Sequence, residues 1–318
     1  MTSRTRSPVA VGLLAGLVVG GGAAAVLVDG GGDDGPRTTP TAARTTETTT
    51  DVVPARATTR APGTPARTTT GDAPPTTSTA TTPGTTTAAG TSSSGALRGL
   101  TVVVDPGHNG QNASHPAQID RQVDVGNGRK ACNTTGTESV RGLAESRLNL
   151  LLAKHVQRAL EAEGATVRMT RSNDDGVGPC VDRRARIANA AKADASISIH
   201  GDGGPASGRG FHVILPGRVP QVAGHDRIVA TSAQLGRQVR RAYREGSGLP
   251  YSTYLGRAGL DVRTDLGGLN LLKVPGVMIE TGNMRNATDA SRMSDPVWRR
   301  EAGRSIAAGV RAFLLARR

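Results

Sequence analysis

Between Arg37 and Ser94 the chain carries 23 threonines and seven prolines, with almost no large apolar side chain. Such a segment cannot bury enough surface to offset its backbone entropy, so it contributes nothing to a core. Its composition is that of a disordered or O-glycosylated stalk. As a flexible coil those 58 residues span about 40 Å, and as a stretched polyproline-like chain roughly 180 Å. Whatever folds does so after this stretch, within about 220 residues, a length ample for one core.

Ahead of the stalk, Val9 to Val28 form a run of 20 uncharged, mostly apolar residues, preceded by Arg4, Arg6 and Pro8. As a helix this run is roughly 30 Å long, one bilayer core. Ala23-Ala24-Ala25 also offers a small-residue cleavage site, so a retained anchor and a cleaved signal both fit. Either places the rest of the chain outside the membrane, with the basic end inside. The expected layout is a basic terminus over residues 1–8, the anchor or signal over 9–28, a linker over 29–95 and one folded domain over 96–318.

Charges before residue 95 nearly cancel, so the folded part holds 32 basic against 20 acidic residues, about +12. That balance favours an anionic partner, or it reflects an arginine-rich composition in general. No aromatic platform or nucleic-acid motif accompanies it, so nucleic acid is not the expected partner; an anionic polymer of the cell envelope suits the address better. The two cysteines, Cys132 and Cys180, suggest a disulfide in an exported domain, with free thiols or soft metal ligands as alternatives that lack any CxxC spacing.

Within the folded part, short β-branched runs alternate with helical periodicity. "LTVVVDPGHNG" is a strand driven into a turn, and "AESRLNLLLAKHVQRALEAEG" is a helix stopped at Gly164. "ATVRMTR", "DASISIH", "GFHVILP" and "VPGVMIETGNM" read as strands. "VDRRARIANAAKA", "DRIVATSAQLGRQVRRAYRE" and "DPVWRREAGRSIAAGVRAFLLA" read as helices. The expected fold is α/β: one domain with a central twisted mixed sheet flanked by helices. The polar, glycine-rich stretch Asn109–Thr137 is long for a loop in a compact domain, which marks function and is where a plug over a site could lie.

Three strands end in side chains able to bind metal or move protons: His108, His200 and Glu280. Glu145 opens the first helix just beyond the long loop. In α/β sheets, ligands gather beyond the carboxyl ends of the strands. Two imidazoles, one carboxylate and an open position make a catalytic zinc set, and a further carboxylate could move the proton of an activated water.

These residues resemble the zinc-dependent N-acetylmuramoyl-L-alanine amidases, the amidase_3 class of cell-wall hydrolases. The similarity rests on "VVVDPGHNG", "AESRLNLLLAKHVQRALEAEGATVRMTR", "RARIANAAKADASISIHGDGG" and "VMIETGNMRNATDA", in the family order. "CNTTGT", "GPCVD" and "GGPASGRGFHV" resemble the actinobacterial and mycobacterial branch. The resemblance implies Zn2+ held by His108, Glu145 and His200, with Glu280 as catalytic base and acid. It also implies an oxidised Cys132–Cys180 pair and no separate wall-binding module. The implied substrate is peptidoglycan or a muropeptide fragment, cut at the amide between the lactyl group of N-acetylmuramic acid and L-alanine; the chain itself is expected to be a monomer outside the membrane. A different zinc hydrolase, peptidase or deacetylase, and a non-catalytic wall-binding protein are the alternatives. Two points depart from a clean match. Glu138 and Glu145 both precede the helix, so the metal carboxylate has two candidates, of which Glu145 fits the family position. "ETGNMRN" lacks the commoner phenylalanine after glycine, which leaves substrate contacts by Asn283 or Arg285 open.

The remaining polar residues have plainer expectations. His155 lies mid-helix, His115 and His225 sit in polar loops where they are expected to be solvated, and His212 is expected to be structural though close to the site. Asp105, Asp194 and Asp202 are turn-formers or partners that orient a histidine.

Overall fold

The computed structural model describes residues 95–318. The anchor or signal, and the linker up to residue 94, lie outside the described residues. Among the described residues no helix is long and apolar enough to cross a membrane.

The described residues form β1 (Thr101–Pro106), then a short helix α1 (Pro116–Ile119) and two three-residue strands, β2 (Gln122–Asp124) and β3 (Arg129–Ala131). There follow α2 (Glu145–Glu161), β4 (Thr166–Met169), α3 (Val181–Ala190), β5 (Ala195–Asp202), β6 (His212–Pro216) and α4 (Asp226–Ser247). The last part comprises β7 (Leu260–Arg263), α5 (Gly267–Asn270), β8 (Gly276–Asn283), α6 (Ala287–Ser294) and α7 (Pro296–Leu315). Local chemistry sets several boundaries. Asp295 caps α7 by accepting from the Val297 N–H, with Pro296 at the first helical position. Asn286 caps α6 by accepting from Thr288 and Asp289, and Gly248, at φ +67°, ends α4 in the left-handed region.

Six strands form one mixed sheet in the order β4-β1-β5-β8-β6-β7. β4, β1, β5 and β8 run parallel; β6 is antiparallel to β8 and parallel to β7. Strand alternation divides the side chains between two faces. Val102, Val104, Ile197, Ile199, Val277 and Ile279 enter the larger core, which α2, α4 and α7 complete through residues such as Leu152, Val239 and Ile306. Each fully buried aliphatic side chain there contributes about 1.5–3 kcal/mol. On the opposite face a smaller core joins Val103 to Ala185 and Ala188 of α3 and Leu269 of α5. That second face becomes polar toward the carboxyl ends of β1, β5 and β8, where Asp105, Ser198, His200 and Glu280 border a cavity of about 490 Å3.

Two features differ from the expected elements. The stretch Asn109–Thr137 is not structureless: it contains α1 and the antiparallel β2–β3 pair. Three-residue strands are too short to display a period, and only Val123 of β2 points into a core. β7 is an added edge strand whose Val262 is 65% exposed, so it lacks the half-buried alternation that marks a strand. Cys132 and Cys180 are bridged; the bridge ties the end of the hairpin segment to the start of α3.

Candidate functional site

His108 stands on the turn that ends β1. Its φ of +57° lies in the left-handed region, which non-glycine residues seldom occupy and which persists where surrounding contacts over-determine it. Those contacts are explicit. Arg171 donates to the Pro106 carbonyl at 2.9 Å and the Gly107 carbonyl at 2.9 Å. Arg184 donates to the Pro106 carbonyl at 2.7 Å and the His108 carbonyl at 2.8 Å. Gly107 between them has no substitute, because a Cβ there would lie 2.1 Å from the His200 ring.

Glu145 is buried in the first turn of α2, where the helix dipole favours a negative charge. Its Oε2 accepts from the Thr137 N–H at 2.9 Å, while its own N–H donates to the Thr137 carbonyl at 2.9 Å. Its Oε1 faces His200 Nδ1 at 2.9 Å and His108 Nε2 at 3.2 Å, and accepts from Asn149 Nδ2 at 3.2 Å. Burial opposes ionisation of this carboxyl, but the two imidazoles outweigh it and hold its pKa well below the ordinary value.

The two rings lie edge to face with centroids 4.9 Å apart. Candidate donor atoms of His108, Glu145 and His200 all lie within 4.8 Å of one another. Donors around a tetrahedral ion at about 2.0–2.1 Å stand about 3.3 Å apart, so this set fits a single first-row divalent metal. His108 Nδ1 lies 3.0 Å from the Thr134 carbonyl. Donation there keeps a proton on Nδ1, so Nε2, which faces Glu145, is the nitrogen that could bind a metal. Exposed Glu138 stands outside this group.

Glu280 is the direct partner of His200 in the parallel β5–β8 register. Its Oε2 is buried and has no hydrogen-bond partner among the described residues. Burial first, then the negative charges of Glu145 and Asp202, raise its pKa well above the usual carboxylate range, against a smaller opposing effect of Arg263.

The sequence matches the Amidase_3 family, described as N-acetylmuramoyl-L-alanine amidase, over residues 102–312. The chain belongs to that family. It is 39% identical over 219 residues to an N-acetylmuramoyl-L-alanine amidase of Mycobacterium tuberculosis, covering 69% of this chain and 88% of the relative. Among solved structures it is similar to the amidase Ami1 of Mycobacterium smegmatis, with 40% identity and a TM-score of 0.64, covering 69% of this chain and 98% of that one. Ami1 of Mycobacterium abscessus matches with 38% identity and a TM-score of 0.61, covering 69% and 100% of the two chains.

In this amidase several supporting residues carried no local signal. Arg171 and Arg184 reach the β1 turn through carbonyls and a carboxylate remote in sequence, Asn149 bonds Glu145 one helical turn away, and Thr134 acts through its backbone. Asp105 does not touch a histidine. It accepts from Arg184 at 2.7 Å and Ser198 at 2.7 Å, and from the Thr170 hydroxyl. Burial pushes its pKa up, but Arg184 and the two hydroxyls outweigh that and hold it down at about 2. Asp194 accepts from the Thr101 N–H at 2.8 Å, joining the starts of β1 and β5. Asp202 accepts from the Tyr254 hydroxyl at 2.8 Å. Asn283 spends its amide on the carbonyls of Pro205 and Gly208, both at 2.8 Å, so it braces a loop; Arg285 is exposed. His115 is exposed. His225, in contrast with its expected solvation, is fully buried, with its two ring nitrogens 3.2 Å from the Leu272 carbonyl and 3.0 Å from the Gly217 carbonyl. The polar sequence around it concealed a helix start folded against the smaller core.

Proposed function

We propose that this chain hydrolyses the amide between the lactyl group of N-acetylmuramic acid and the L-alanine of the stem peptide, in peptidoglycan or muropeptide fragments. In this reading Zn2+ is held by His108, Glu145 and His200, and Glu280 is the general base and acid. The observation that carries it is the His200–Glu280 register pair. It sets an unpartnered carboxyl oxygen beside a three-donor group in which His108 and Glu145 are held by hydrogen bonds from outside the group.

Bound there, zinc supplies a Lewis acid that brings the pKa of a water near 7 and polarises a carbonyl. The chain's own residues do the rest. Thr134 fixes the His108 tautomer, and Asn149 and Thr137 hold Glu145. Glu280 would take one proton from the attacking water and deliver it to the departing alanine nitrogen; the carboxylic acid formed then gives the water's other proton to the amine, so a carboxylate and an ammonium result. A pKa raised by burial and by Glu145 and Asp202 favours a group that must both accept and give up that proton. The arginine-rich surface favours the carboxylates of the stem peptide. The folded domain over 96–318 works as a monomer outside the membrane, carried on the linker over 29–95 and brought there by the segment over 9–28 as anchor or signal.

The test is mass spectrometry of products from a muropeptide digest, together with elemental analysis of the protein. Wild type should carry one zinc and release stem peptides with a free L-alanine amine. Glu280→Gln should keep its zinc and lose at least about two orders of magnitude in turnover. Turnover near wild type in Glu280→Gln, or metal retained in His200→Ala, overturns the assignment.

A further inference from the structure

His212 is the first residue of β6, and the antiparallel β6–β8 register pairs it directly with Glu280. Directly paired positions project to the same sheet face, with Cβ atoms about 4.5–5.5 Å apart. His212 is 1% exposed, and its Nδ1 is buried without a hydrogen-bond partner among the described residues. Glu280 Oε2 is in the same condition. Two buried, unpartnered polar atoms on directly opposed residues are rare in folded proteins, where such atoms are nearly always satisfied.

Neighbouring groups that could satisfy Glu280 are already engaged. Arg263 of β7 is spent on Asp265, through bonds of 2.8 and 2.7 Å. The Tyr254 hydroxyl is spent on Asp202, and its ring lies edge-on to His212 with centroids 6.4 Å apart. Asp202 of β5 and Glu145 of α2 are themselves acidic and offer Glu280 no donor. Asp202, Asp261 and Arg263 are the charged groups that act on His212; burial, aided by the Arg263 charge, outweighs the two aspartates and disfavours its cationic form. A neutral imidazole carries one N–H and can place it on Nδ1.

We infer that His212 is a positioning residue for Glu280: its Nδ1–H, which is not within hydrogen-bond distance of Glu280 Oε2 here, bonds that oxygen when the two paired side chains turn toward each other in the reacting enzyme, and leaves the other carboxyl oxygen to handle the proton. The inference rests on the role proposed above for Glu280. Removing the bond frees the carboxyl to rotate away from the reacting atoms. It also removes a donor that favours the ionised form, so the acidic limb of the kcat–pH profile moves to higher pH.

The experiment uses the full chain loaded with zinc and a purified muramoyl peptide as substrate. His212→Phe fills the volume without a donor; His212→Asn keeps a donor near the position of Nδ1. The expected result for His212→Phe is stoichiometric zinc, KM within about threefold of wild type, kcat down about 10- to 100-fold, and the acidic limb raised by about 0.5–1 pH unit. His212→Asn should recover most of kcat and the original limb. Nitrogen-15 NMR of the metal-free wild type should show, distinct from His108, a neutral Nδ1-protonated histidine whose signal is missing from His212→Phe. A wild-type profile in His212→Phe while Glu280→Gln is inactive overturns this inference alone. Activity kept by Glu280→Gln overturns the role of Glu280 and this inference with it. Should His212→Phe fail to fold, His212→Asn decides: a limb displaced in that variant counts against the donor at Nδ1, and an unmoved limb with the expected NMR tautomer supports it.

Discussion

Arg184 binds Asp105 Oδ1 at 2.7 Å with the same guanidinium that donates to the carbonyls of Pro106 and His108. Its Nε donates to the Pro179 carbonyl at 2.9 Å, beside the bridged Cys180. One side chain on α3 thus fastens the end of β1, the left-handed histidine and the disulfide region together.

Arg184→Met removes that fastening and leaves Asp105 as an uncompensated buried charge. The expected cost is about 3–5 kcal/mol of stability, since breaking a buried pair costs more than replacing both members. Chemical denaturation measures it. Zinc affinity should fall by about tenfold or more because the His108 turn loses its support, and competition with a chromophoric chelator reports that separately.

Asp105 also makes stability depend on pH. Its folded pKa of about 2 lies below the ordinary 3.8, so its contribution is present above the unfolded value and is lost as pH falls toward 2. The difference corresponds to about 2 kcal/mol. Urea denaturation of wild type and Asp105→Asn should show their separation shrinking by roughly that amount between about pH 6 and pH 2. A separation that is constant with pH would show that Asp105 is not held down by Arg184.

Gly107→Ala should abolish zinc binding while far-UV circular dichroism stays close to native. The added Cβ would lie 2.1 Å from the His200 ring, so the ring must leave the donor group. Stoichiometric zinc in this variant would contradict the placement of His200.

Cys132→Ser with Cys180→Ser should destabilise the domain by about 4 kcal/mol in the chain-entropy model, for cysteines 48 residues apart. The freed segment includes Thr134, whose carbonyl restrains the His108 ring, so zinc affinity should fall as well. Denaturation midpoints and chelator competition, each with and without reductant, check the two effects.

With zinc held as proposed above, chelation should lower thermal stability, since the ion then binds the folded state. At free zinc 100-fold above its dissociation constant the stabilisation is about 2.7 kcal/mol, equivalent to roughly 5–11 °C for a domain of this size. Scanning calorimetry with and without EDTA tests this, and an unchanged Tm would argue against a tightly held ion.

Much of the site was legible in the chain itself. His108, His200 and Glu280 each follow an apolar β-branched run, and Glu145 opens a helix with clear periodicity. Local pattern determines such elements because strand and helix periods differ, and the topology of parallel sheets brings strand ends to one edge. What the pattern could not supply is registry and direction. β6 runs against β8, and only that pairing sets His212 opposite Glu280. The arginines that hold the His108 turn reach it across 64 to 79 residues of sequence. Hydrogen bonds to backbone carbonyls leave no mark on composition, because any sequence provides the acceptor. The sequence by itself therefore determined which residues meet at the candidate site. Only the packed structure decided what restrains them, since restraint depends on distances between segments that no local period encodes.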